Sequence, residues 1–80
     1  MRLYLKSGQV IELNRLNMID LLDVQYGVGN YYENNKYDNQ LYPQEVYYLC
    51  SQNKSNIIEF YYGDCETFIT NTSEIVGVEV

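Results

Sequence analysis

Asn56-Ile57-Ile58-Glu59-Phe60-Tyr61-Tyr62, followed by Gly63-Asp64 and then Cys65-Glu66-Thr67-Phe68-Ile69-Thr70, is the stretch on which the fold turns. In an extended chain Ile58, Phe60 and Tyr62 share one face, and Ile57, Glu59 and Tyr61 share the other. Its β-branched and aromatic residues suit a pleated, half-buried surface better than a helix. Gly63-Asp64 is a turn pair, and so short a connection only allows the two strands to run antiparallel.

Working outward, a short Asn71-Thr72-Ser73 connection leads to a strand at Ile75 to Val80, with Val76, Val78 and Val80 pointing one way. On the other side, Glu45 to Ser51 reads as a further strand closed by Gln52-Asn53-Lys54-Ser55. Residues 2–13 read as a hairpin. Leu3 and Leu5 alternate with Arg2, Tyr4 and Lys6, Ser7-Gly8 turns the chain, and Ile11 and Leu13 resume on one face. Residues 15–25 change period: Leu16, Ile19, Leu22 and Tyr26 recur at three- and four-residue spacing, which predicts a helix. Asn14 or Asn17 would cap its start, and Gly27 and Gly29 would end it. The expected fold is α+β: a single domain over 1–80 with a twisted antiparallel sheet of about six strands and one short helix at residues 15–25.

Residues 27–43, GVGNYYENNKYDNQLYP, have weak periodicity and end in Pro43. They read as a long Tyr/Asn-rich loop, although a short strand around Asn30 to Glu33 would also fit. Long loops in small domains are usually functional. This loop is the expected partner-binding element, with Tyr31, Tyr32, Glu33, Tyr37, Asp38 and Tyr42 as candidate contact residues.

Composition narrows the function further. The chain has 80 residues, ten tyrosines, two phenylalanines, no tryptophan and no histidine. Ten phenols cannot all be buried in so small a core, so several should lie on the surface, where they offer contact area with few bonds to freeze. Eleven acidic residues against five basic ones give a net charge of −6, which disfavours nucleic acid and anionic membranes as direct ligands. A protein with a basic surface is the electrostatic complement. Carboxylates along strands and loops could imitate part of a phosphate track, although −6 falls well short of the one charge per ~1.7 Å carried by DNA.

Chemistry needing imidazole is excluded outright, both in catalysis and in metal ligation. Cys50 and Cys65 do not make a zinc site and are expected to be buried, reduced strand residues, with a disulfide between them as the lesser alternative. The carboxylate pairs Asp20/Asp23 and Asp64/Glu66 fit a solvated helix face and a turn with its strand edge. Gly27-Val28-Gly29 is only half a dinucleotide fingerprint. The amide-rich loop lacks the glycine and terminal glutamate of a calcium loop. No catalytic, metal or cofactor site is expected. The N-terminus lacks an uninterrupted apolar region, so neither a signal peptide nor a membrane anchor is expected and the location would be cytoplasmic.

In its length, its histidine-free, Asn- and Tyr-rich composition and its Tyr31-Tyr32-Glu33-Asn34-Asn35-Lys36-Tyr37-Asp38 stretch, the chain resembles, at class level, small acidic proteins by which phages inhibit host machinery, anti-CRISPR proteins being the best-known group. That group shares no fold and no motif, so the resemblance assigns a role to no single residue. It implies a cofactor-free inhibitor that binds a larger host protein. The alternative is a small assembly module that forms homo-oligomers through an edge strand, Leu3–Leu5 or Val76–Val80.

Overall fold

The computed structural model describes residues 1–34 and 41–80. The deciding hairpin forms as expected. One strand, Ile57–Tyr62, pairs antiparallel with a second, Glu66–Asn71, in a register that sets Phe60 opposite Phe68. Gly63 turns between them at φ 60°, a conformation that favours glycine. Ile58 and Phe60 are fully buried.

In chain order the elements are β1 (Arg2–Leu5), β2 (Val10–Glu12), β3 (Leu16–Asp23), β4 (Val28–Glu33), α1 (Pro43–Gln52), β5 (Ile57–Tyr62), β6 (Glu66–Asn71), a 3-10 turn (Thr72–Glu74) and β7 (Ile75–Glu79). They form two antiparallel sheets, ordered β2-β1-β7 and β4-β3-β5-β6. The class is α+β as expected, with seven strands in two sheets rather than about six in one.

The helix is not where the spacing placed it. Residues 16–23 are β3, a central strand paired with both β4 and β5. A bulge between Leu16 and Met18 adds one residue to the strand, so Leu16 and Ile19 both face inward despite being three apart. The bulge imitates the helical interval. Beyond it strict alternation returns, with Ile19 and Leu21 buried and Asp20 and Leu22 on the outer face. Tyr26, assigned to the same helical face, is 72% exposed in the β3–β4 turn. Asp23 shapes that turn: its Oδ1 accepts from the backbone N–H groups of Gln25 and Tyr26 at 3.0 and 3.3 Å. Gly27, expected to end a helix, closes the turn at φ 68°.

The stretch read as the strand Glu45–Ser51 is instead the core of α1. Pro43 occupies the first helical turn, where its missing N–H costs nothing, and Glu45 sits favourably near the positive helix end. Val46 and Cys50, four residues apart, enter the core with Leu49 beside them. The expected 27–43 loop is also corrected, because β4 occupies Val28–Glu33, close to the short-strand alternative.

The core lies between the inner faces of the two sheets and α1. Leu3, Leu5 and Ile75 of the smaller sheet join Ile19, Leu21 and Phe60 of the larger one, with Val46 from the helix. A bulge between β1 and β7 makes Val76 the extra residue: Ile75 is buried, Val76 is exposed, and Val78, opposite Leu3, packs against the core, so Val76 does not share a face with Val78 as expected. Thr72 is the one buried polar residue among those described. Its hydroxyl donates to the Asn53 carbonyl at 2.6 Å and accepts from the Asn56 N–H at 3.2 Å, tying the end of α1 to the approach of β7.

Candidate binding surface

β4 presents its side chains alternately. Tyr32 lies opposite Ile19 and packs against the core, whereas Tyr31 and Glu33 point outward. Tyr31 is 66% exposed. Asn34 fixes the end of the strand: its backbone N–H donates to the Asn17 carbonyl at 2.8 Å and its side-chain amide to the Leu16 carbonyl at 2.7 Å. The same side chain accepts from the Leu41 N–H at 3.0 Å, which brings the start of α1 alongside β4.

The result is a groove of about 760 Å³ between strand and helix. Tyr31, Tyr32 and Glu33 line it from β4, while Glu45, Tyr48 and Leu49 line it from α1. Tyr48 is also largely exposed. Phenols and apolar surface are thus set beside two carboxylates, and no base is among the described lining residues. Such a groove can accept a cation-bearing apolar segment. Its described lining includes no serine, threonine, cysteine or lysine.

Of the six candidate residues, Tyr31, Tyr32 and Glu33 are brought together here. Tyr42 is half-exposed at the residue preceding α1 and does not line the groove. Tyr37 and Asp38 lie outside the described residues. Glu45, Tyr48 and Leu49 were missed because their segment was read as a strand. Their spacing, with Pro43 in front, was the available signal.

The remaining candidates for chemistry sort themselves structurally. Arg2 pairs with Glu12 at 2.5 Å and with Glu79 at 3.7 Å, and Arg15 pairs with Asp64 at 2.6 Å. The Tyr4 hydroxyl also meets Glu79. The cysteines are unpaired but differ from expectation. Cys50 is buried on the helix, and burial pushes its thiol up to about 12, whereas Cys65 is exposed in the β5–β6 turn. Lys6 and Lys54 line a separate cleft of about 310 Å³ with Cys50 and Thr72.

These features define a small two-sheet α+β domain with an acidic, tyrosine-lined groove. Neither family models, nor curated proteins, nor solved structures gave a match to the chain. No helix among the described residues is long and apolar enough to cross a membrane.

Proposed function

We propose that this chain is a non-enzymatic binding protein that attaches to the basic surface of a larger protein through its acidic, tyrosine-rich side. The observation that carries the reading is the union of exposed Tyr31 and Tyr48 with Glu33 and Glu45 around one groove. Tyrosine is favoured at interface hot spots, and carboxylates steer a basic partner into register. The class-level likeness to phage inhibitors sharpens the proposal. The partner would be a host nucleic-acid-binding protein, a CRISPR effector among the options, blocked in the host cytoplasm.

The test is capture by the immobilised protein from a host extract at low and high salt. One basic protein should be retained at low salt and released at about 1 M, where screening shrinks to ~3 Å. Tyr48→Ala should weaken retention by about 2 kcal/mol, or roughly thirtyfold. Retention that ignores both salt and Tyr48 would refute the reading.

A homo-oligomeric assembly module is the second reading, and the edge position of β7 with exposed Val76 and Val80 favours it. Leu3–Leu5 is unavailable for that role, because β1 is the middle strand of its sheet. A sedimentation mass of twice the chain, lost in Val76→Lys, would select this reading.

A further inference from the structure

The outer face of the four-stranded sheet carries a charge arrangement that the fold does not need. Asp20 in β3 lies directly opposite Glu59 in β5, with Tyr31 of β4 on one side and Ile69 of β6 on the other. By strand alternation Met18 and Leu22 flank Asp20, while Ile57 and Tyr61 flank Glu59. Like charges directly opposite on one sheet face repel each other. Nothing in the described chain relieves them, since every ion pair there uses other carboxylates.

Hydrogen bonding leaves the same imbalance. Glu59 Oε1 accepts from the Tyr61 hydroxyl at 2.7 Å, but Asp20 Oδ1 is buried and accepts nothing. Gly29, across from Leu22, makes room for that oxygen: a Cβ there would stand 3.3 Å from Asp20 Oδ1. The Tyr61 phenol feels the accumulated negative charge. Its hydrogen bond to Glu59, then burial, then the charges of Glu59 and Asp20 push it up to about 12.

We propose that this face is the docking surface for a protein partner, and that Asp20 and Glu59 together receive an arginine guanidinium from it. Charge complementarity selects a cation. The planar, multi-donor fork of arginine suits two adjacent carboxylates and a flanking phenol ring better than the point charge of lysine does. Met18, Leu22, Ile57 and Ile69 then cover the aliphatic stem and exclude water, which strengthens the charge interaction. The inference rests on the proposed function and deepens it. It puts the anchor on the sheet face, with Tyr31 shared between that face and the groove.

The experiment follows backbone amide resonances of the intact chain during titration with a blocked tripeptide, arginine between two leucines, and with its citrulline counterpart. Shifts should centre on Asp20, Gly29 and Glu59, and affinity should fall at least tenfold for citrulline and for Asp20→Asn. Asp20→Asn should also melt higher than the native chain at low salt, which shows that the variant folds and that the native pair repels. Shifts centred on the α1 groove, an equal response to citrulline, a stronger response to magnesium than to the peptide, or a lower melting point of Asp20→Asn would each overturn the inference. If a captured partner is held equally well by Asp20→Asn/Glu59→Gln, the binding function stands and this anchor falls. If the peptide binds the sheet face but no host protein is captured, the anchor stands and the wider reading falls.

Discussion

At the scale of single residues, Cys50 shows how burial turns into pH dependence. It lies in the core beside Val46, and the loss of water around it favours the protonated thiol over the thiolate. Its folded value of about 12 exceeds the ordinary 9.0, so the unfolded chain gives up this proton first. The stability associated with the protonated thiol is complete below pH 9 and drains away as pH rises towards about 12. Chemical denaturation across that window should show stability falling by up to about 1.4 kcal/mol per pH unit from this group. Tyr61, also held protonated to about 12, adds to the loss in the same direction. Cys50→Ala should have the shallower slope despite its lower starting stability. Equal slopes would mean the thiol is not held in its protonated form. Exposed Cys65 should react with a thiol reagent in the folded chain while Cys50 reacts only on unfolding.

At the scale of elements, β3 explains which parts of the fold were legible in the sequence. Where alternation is unbroken, as in β1 and β5, reading every second residue gave the buried faces Leu3/Leu5 and Ile58/Phe60. Where a bulge interrupts it, Leu16 and Ile19 acquire a three-residue interval that local pattern cannot tell from a helical turn. For α1 the failure was the opposite one. Val46, Tyr47 and Tyr48 have strand propensities, and tertiary packing of Val46 and Cys50 overrode them. The candidate surface suffered accordingly: its β4 half was found through the tyrosines, and its α1 half was lost with the misread helix. The bulge also makes a prediction. Asn17 is the extra residue, so deleting it leaves Leu16, Ile19 and Leu21 facing inward. It removes the Asn17 bonds to the Gly63 carbonyl and from the Asn34 N–H, a loss of about 1–3 kcal/mol. Deleting Asp20 instead turns Ile19 outward, at about 2–5 kcal/mol for that side chain alone. Urea midpoints should rank native, Asn17-deleted and Asp20-deleted chains in that order. A reversal would show that the bulge is not where the strand tolerates a change of length.

At the scale of the whole molecule, charge is divided unevenly. Arg2 and Arg15 are spent on Glu12, Glu79 and Asp64, while Lys6 and Lys54 border their own cleft. Asp20 and Glu59 on the sheet face, and Glu33 and Glu45 at the groove, are left without a basic partner among the described residues. The three ion pairs are solvent-exposed, and such pairs contribute little. With a net charge of −6, repulsion should therefore outweigh attraction within the chain. Salt then acts with opposite signs on folding and on binding. Going from about 0.01 to 0.15 M shortens screening from ~30 to ~8 Å and should raise the melting temperature by several degrees, since about 1 kcal/mol corresponds to 4–8 °C in a domain of this size. The same change should weaken attachment to a basic partner, because the carboxylates that repel one another are those the partner would neutralise. Asp20→Asn/Glu59→Gln should shrink both effects, leaving a flatter melting curve against salt and a weaker salt dependence of binding. If the native chain instead melted lower as salt rose, its ion pairs would dominate and the acidic side could not be the strained surface that a basic protein relieves.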